Sequence, residues 1–261
     1  GEQRTSTVMV VATTALGFAV AALIISLVVP SALGLTVVRV VTPALVPAAG
    51  LALALDGGAA GVAALAVAVL ASTIAFGAET GEAMVQGSAY GDERRLPLKV
   101  PAALLLPIAV SWLVWCAAAL GAITLLCARQ WATGGALLAV ASFLTWALFR
   151  RYHRFSRRWL VVVPAGIVVH DHVVLGETLM VQTTNVRLCQ LALADTQAAD
   201  LTGPSSGHAL EISVKEMVTG VFAATPHNPK GRAIHIQSFL VAPSRPGRAL
   251  RALADGKVPV G

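Results

Sequence analysis

Charge is what this sequence has least of. Only 12% of its 261 residues are Asp, Glu, Lys or Arg, against roughly 25% in an ordinary soluble domain. The shortage is uneven. Residues 1–150 hold seven Lys/Arg and six Asp/Glu, and residues 151–261 hold the other twelve and seven. This predicts two bodies: a nearly charge-free one over 1–150, solvated by lipid, and one of ordinary charge density over 151–261, solvated by water.

Other absences exclude chemistry. The three cysteines, Cys116, Cys127 and Cys189, are scattered and form no CxxC, so neither a disulfide framework nor a zinc site is supported. Gly203-Pro204-Ser205-Ser206-Gly207-His208 is rich in Gly and Ser but lacks the lysine and spacing of a phosphate loop. No GxSxG, HExxH or paired-carboxylate motif occurs. No catalytic residue, cofactor or metal is therefore expected. Within the apolar runs Arg39 is the only ionisable residue, with Asp56 at a turn. Ion relays need carboxylates or histidines there, which argues against a proton-coupled pump. Lysine is also scarce, four against fifteen arginines, a bias that fits a GC-rich genome such as an actinobacterium's.

Long apolar runs are what is present. A spanning helix needs about 20 mostly apolar residues, because lipid cannot satisfy free backbone groups. Val8–Val29 qualifies, ends at Pro30, and is longer than the apolar region of a cleavable signal peptide. Leu35–Leu55 is interrupted by Pro43 and Pro47. Ala59–Phe76 is short, Gly77–Lys99 reads as a polar loop, and Pro101–Cys127 and Thr133–Phe149 complete the set. Four or five spans follow, depending on whether Leu35–Leu55 crosses or re-enters. Small-residue pairs at Gly57/Gly61 and Ala117/Gly121 allow close helix contact.

The net charge of +6 comes mostly from Arg150, Arg151, Arg154, Arg157 and Arg158, directly after the last apolar run. Basic residues there mark the cytoplasmic side of a plasma (inner) membrane protein and place the C-terminal domain inside. They also suit anionic lipid headgroups. Nucleic acid is a poor partner for them, since the run has no aromatics spaced on a sheet and lies where a membrane face should be.

Beyond residue 158 the period changes. Trp159–Val163, Ile167–His170, Val173–Val181, Val186–Leu193, Leu210–Val214, Thr219–Ala223 and Ile234–Val241 are short β-type runs. They are parted by turn segments, Thr225–Arg232 among them. Ser244–Ala254 then reads as an amphipathic helix with Ser244 as cap and Leu250 and Leu253 on one face. The expected fold is a membrane helical bundle plus a small all-β domain with a C-terminal helix, a pleckstrin-homology-like barrel, with a plain β-sandwich as the competitor.

Two clusters stand out. His170-Asp171-His172 offers two imidazoles and a carboxylate, but strand alternation sends Asp171 to the other face and no third metal ligand stands nearby. Asp171 is expected to make a turn. A membrane enzyme using these residues with His208 ranks last. Gln86–Arg95 (QGSAYGDERR) is the densest polar stretch of the membrane half. It reads as a solvated loop or as a docking loop that, with its two glycines and Tyr90, folds back on the β domain, Asp92 and Glu93 facing Arg94 and Arg95.

QGSAYGDERR, Trp159–Asp171 (WLVVVPAGIVVHD) and Asp200-Leu201-Thr202 together resemble a group of actinobacterial membrane proteins with a helical bundle and a C-terminal β domain. The Luc accessory proteins of mycobacterial Mce lipid importers are among them. The resemblance implies a non-catalytic subunit beside the permease of a lipid-import machine, with membrane lipids and the other subunits as partners. It carries over no catalytic residue.

Overall fold

The computed structural model describes residues 2–224 and 231–261. The chain divides into two units. The first comprises Gly1–Thr80 and Pro107–His153, and the second comprises Gly81–Leu106 and Arg154–Gly261. The boundary read at residue 150 therefore misses one segment: 81–106, between the third and fourth apolar runs, belongs with the C-terminal unit.

Five helices among the described residues are long and apolar enough to cross a membrane. They are α1 (Glu2–Val28), α2 (Ala32–Asp56), α3 (Ala59–Phe76), α5 (Ala102–Cys127) and α6 (Trp131–Ser156). The protein is membrane-embedded and multi-pass. The run of uncertain character is one helix, α2, despite Pro43 and Pro47. Ser31 starts it by accepting a hydrogen bond from the Gly34 N–H at 3.0 Å. Trp112 Nε1 donates to the Val40 carbonyl at 3.1 Å, in the turn that Pro43 interrupts. Neighbouring groups of this kind are what let a membrane helix hold proline.

Gly57 and Gly58 turn α2 into α3 at φ +61° and +120°, angles that a Cβ disfavours. Two turns back, α2 packs so close that a Cβ on Gly61 would lie 2.9 Å from Leu53 Cδ1. One on Gly121 would lie 3.3 Å from Leu137 Cδ1. Both small-residue positions thus serve packing inside the bundle.

The second unit holds two four-stranded sheets among the described residues. The first, in the order β1 (Arg94–Pro97), β2 (Trp159–Val163), β3 (Gly166–His170), β4 (Leu179–Gln182), is antiparallel throughout. The second runs β5 (Val186–Leu191), β7 (Leu210–Phe222), β8 (Arg232–Val241), β6 (Ala199–Asp200), with β6 parallel to β8. Isolated bridges Leu98–Pro243 and Leu175–Phe222 tie the sheets together at two places, without closing a barrel among the described residues. Leu160, Ile167, Val181, Leu210, Ile212 and Phe239 are buried in one core. Helix α7 (Pro246–Asp255) adds Ala249 and Leu253 to it and turns Arg248 and Arg251 outward.

Several expectations are corrected. Gly77–Lys99 is no simple loop: it contains α4 (Ala78–Gln86) and strand β1. Helix α6 runs seven residues past Phe149, so Arg150, Arg151 and Arg154 lie on its last turns. Val173–Val181 is mostly turn, with only Leu179–Gln182 extended. Leu210–Val214 and Thr219–Ala223 join in the single strand β7 across an irregularity between Ser213 and Val218. Ser244 does not cap α7: Arg245 holds that position, and Ser244 Oγ donates to the Pro97 carbonyl at 3.0 Å. The expected turn Thr225–Arg232 lies, for residues 225–230, outside the described residues.

Candidate functional site

Of the polar residues read from the sequence, Tyr90, Asp92, Glu93, Arg94, Arg95, Arg157, Arg158, His170, Asp171 and His172 lie on or beside strands β1, β2 and β3. Residues 86–95 form a pinned loop. Gln86 works as an extra rung: its Oε1 accepts from the Arg95 N–H and its Nε2 donates to the Glu93 carbonyl, both at 2.9 Å. Glu93 Oε1 accepts from the Tyr90 N–H and from Arg95 Nη2. Arg95 Nη1 reaches Ser88 Oγ at 3.2 Å. Gly91, at φ +61°, makes the tip. The result holds Tyr90 outward with 89% of its surface exposed. Of the expected charge pairs, Glu93–Arg95 forms.

Asp92 and Arg94 instead line an open groove of about 330 Å³. The β2–β3 turn at Val163-Pro164 and the end of α7 at Asp255 and Lys257 complete it. A Cβ on Gly256 would meet Val162 Cγ1 at 2.6 Å, so only glycine lets the helix end approach the strand this closely. Two acids and two bases face the same space, which suits a zwitterionic or mixed-charge segment better than a bare anion.

Arg158 is the main correction among the candidate contacts. It was read as a headgroup ligand, but its side chain is fully buried. Nη2 donates to Asp171 Oδ2 at 2.7 Å and to the Thr202 carbonyl at 3.2 Å, and Nη1 donates to the Lys99 carbonyl. Asp171 Oδ1 in turn accepts from the Val173 and Val174 N–H groups, making the expected turn. The pair therefore locks together the approach to α5, the start of β2, the end of β3 and the segment after β6. The motifs WLVVVPAGIVVHD and DLT supply these parts: Asp171, the buried Leu201, and Thr202. Arg150, Arg151, Arg154 and Arg157 remain exposed, and Arg150 lies over the Trp146 ring at 5.2 Å.

Strand β3 ends at His170, so alternation does not extend to the turn residue His172; Asp171 is buried, while His170 is half-buried and His172 exposed. The two imidazole rings meet edge to face at 4.5 Å. His170 also stacks on Trp159 at 5.1 Å, and Arg95 covers that indole at 5.1 Å. Arg157 Nη2 comes within 3.5 Å of His170 Nε2. Burial first, then the neighbouring His172 and Arg157, push the His170 imidazole down to about 4. Asp171 pulls the other way and is outweighed. Among the described residues, no group of three or more His, Cys, Asp or Glu is placed to hold a metal. His208 offers its carbonyl to Lys99 Nζ at 3.4 Å. Burial raises the Cys189 thiol to about 12, which leaves it unreactive.

The sequence reading missed a polar belt in the helical unit. Thr36 Oγ1 meets His153 Nδ1 at 3.0 Å, and Ser111 Oγ meets Tyr152 Oη at 2.8 Å. Each pair joins residues more than 40 positions apart. A single apolar run with one hydroxyl in it gives no signal for such a pair.

Comparison of the chain with family profiles, with curated proteins and with solved structures finds no match.

Proposed function

We propose that this chain is a non-catalytic accessory subunit of a larger membrane complex, which it joins through a preorganised loop. The observation that carries the reading is Tyr90, 89% exposed at the tip of a loop whose backbone is fixed by Gln86, Glu93 and Arg95. An exposed aromatic on a rigid loop is costly to keep in water and cheap to order on binding. The groove beside it, with Asp92 and Arg94 on its wall, offers a mixed-charge rim for the same contact. The resemblance to Luc-type proteins names the candidate complex: an Mce-type lipid importer with a permease.

Orientation follows the positive-inside rule. With five crossings, Arg39, Arg94, Arg95, Lys99, Arg150, Arg151 and Arg154 fall at one membrane face, and Arg129 and Arg4 at the other. This supports a plasma (inner) membrane protein with the sheet-rich unit in the cytoplasm and the start of α1 outside. The order of strands then one C-terminal helix supports a pleckstrin-homology-like fold for that unit, with β1 as an added strand.

A second reading is a lipid-headgroup sensor. The exposed arginines Arg150, Arg151, Arg154 and Arg157 favour it, each worth about 1 kcal/mol near an anionic surface. The deciding experiment is a gentle pull-down from the native membrane with a C-terminal tag, followed by mass spectrometry. Permease and ATPase subunits in stoichiometric amounts support the accessory role. The chain alone, with only lipid, puts the sensor first.

A further inference from the structure

Within the apolar spans, which run Val10–Val28 in α1 and Ala32–Leu55 in α2 and so leave out Glu2, Arg4 and Asp56, Arg39 is the only Arg, Lys, Asp or Glu apart from the arginines on the last two turns of α6. A cation at such a position is a functional feature by default. Arg39 is half-buried, and no carboxylate among the described residues pairs with it. Its Nε donates to the Ala75 carbonyl at 3.3 Å, and its guanidinium carbon lies 5.9 Å from the Phe76 ring centroid. That carbonyl sits in the last turn of α3, where helix carbonyls lack intrahelical partners and attract cations. The two Nη nitrogens make no hydrogen bond among the described residues.

The depth of this group follows from helix length. Helix α3 has 18 residues, about 27 Å at ~1.5 Å per residue, close to the ~30 Å hydrocarbon thickness. Its last turn therefore reaches one edge of the hydrocarbon, and Arg39, bonded to that turn, lies at the same level. A second observation agrees. Trp112 donates to the carbonyl of the next residue, Val40, and indoles gather at this interface. The polar pairs Thr36–His153 and Ser111–Tyr152 involve the same end of α2 and the same stretch of α5.

We propose that Arg39 is the ligand for the phosphodiester of a membrane lipid at this end of the bundle. The Ala75 carbonyl and the Phe76 ring orient the guanidinium and leave its Nη fork for the phosphate, the bidentate arrangement that arginine favours. Leu33, Ile74 and Phe76, all exposed, give the acyl chains an apolar wall. The phosphodiester is chosen over a fatty-acid carboxylate because it is ionised at every physiological pH and is the anion that stands at this depth. The site is separate from the Tyr90 loop and does not depend on the accessory role.

The test uses the full chain in mild detergent, with dioleoyl phosphatidylglycerol as probe. A galactolipid of the same chains, oleate and inorganic phosphate are the comparisons. Native mass spectrometry should show one phosphatidylglycerol retained by the wild type under conditions that strip the galactolipid and oleate. Arg39→Gln should lower that retention about tenfold, and Arg39→Lys should lower it less, because the charge stays and the fork is lost. Phosphatidylglycerol should also raise the melting temperature of the wild type, and the galactolipid and inorganic phosphate should not. This second measurement stands if Arg39→Gln fails to fold. Equal retention of galactolipid, retention unchanged in Arg39→Gln, or an equal loss in Arg150→Gln would overturn the site. A shift produced equally by inorganic phosphate would overturn the lipid.

Discussion

Arg158 Nη2 and Asp171 Oδ2 stand 2.7 Å apart with neither side chain exposed, so thirteen residues of chain close on a buried ion pair. Removing one partner strands the other charge, which costs about 3–5 kcal/mol at such a site. Arg158→Ala and Asp171→Ala should each destabilise the protein on that scale, measured by thermal or denaturant unfolding in detergent. The double variant should cost clearly less than the sum of the two, because no stranded charge remains. Additive losses would show that the pair is not coupled. Arg158 variants should also fail to act as headgroup mutants: liposome binding per folded molecule should stay unchanged.

His170 gives a pH dependence with a definite sign. Burial keeps its imidazole neutral in the folded protein down to about 4, whereas an unfolded histidine takes up its proton near 6.5. Between those values the unfolded state binds more protons, so stability falls as pH falls. The loss begins near pH 6.5 and is complete below about 4. The melting temperature of the wild type should drop between pH 7 and pH 5 by more than that of His170→Asn. Equal drops would place the acid sensitivity elsewhere.

How far the sequence could be read depends on whether the cause is local. The spans were legible because their cause is local: lipid demands long apolar runs, and α3 ends where the sequence said, at Phe76. Strand β2 was also legible to the residue, Trp159–Val163, since its burial shows as an unbroken apolar run. Strand β1 was not. Arg-Arg-Leu-Pro has no strand pattern, and becomes extended only because β2 pairs with it, Leu96 opposite Leu160. Proline is tolerated there because β1 lies at the edge of its sheet. Arg158 was misread for the same reason. It ends a run of exposed arginines, and nothing near it announces that Asp171 will fold over it. The docking-loop reading of QGSAYGDERR named Tyr90, but its exposure and the Gln86 rungs that hold the loop needed the structure.

Tyr90 separates a contact role from a structural one. It is exposed, and its tie to the loop network is through its backbone N–H rather than its side chain. Tyr90→Ala should therefore leave stability within about 0.5 kcal/mol. If Tyr90 anchors a partner, its loss should weaken co-purification with a cost of ~2 kcal/mol or more, roughly thirtyfold in Kd. Gln86→Ala should give an intermediate loss, because the anchor stays but the loop must be ordered on binding. Undiminished recovery of the partner from Tyr90→Ala would remove the loop from the interface.

Two glycines in the second unit should respond in opposite directions. A Cβ on Gly166 would sit 2.1 Å from the Val181 carbonyl oxygen and 2.9 Å from Gln182 Cα. Those atoms are backbone, so no rotamer change relieves the clash, and β3 would have to part from β4 at the Gly166–Gln182 pair. Gly166→Ala should destabilise by at least the ~1–3 kcal/mol typical of overpacking. Gly247 lies exposed in the first turn of α7 with nothing within 4 Å of an added Cβ. There alanine removes only chain entropy from the unfolded state, so Gly247→Ala should stabilise by up to ~1 kcal/mol. Unfolding curves for the two variants beside the wild type test both signs at once. A neutral Gly166→Ala would mean that β3 and β4 pair more loosely than their register implies.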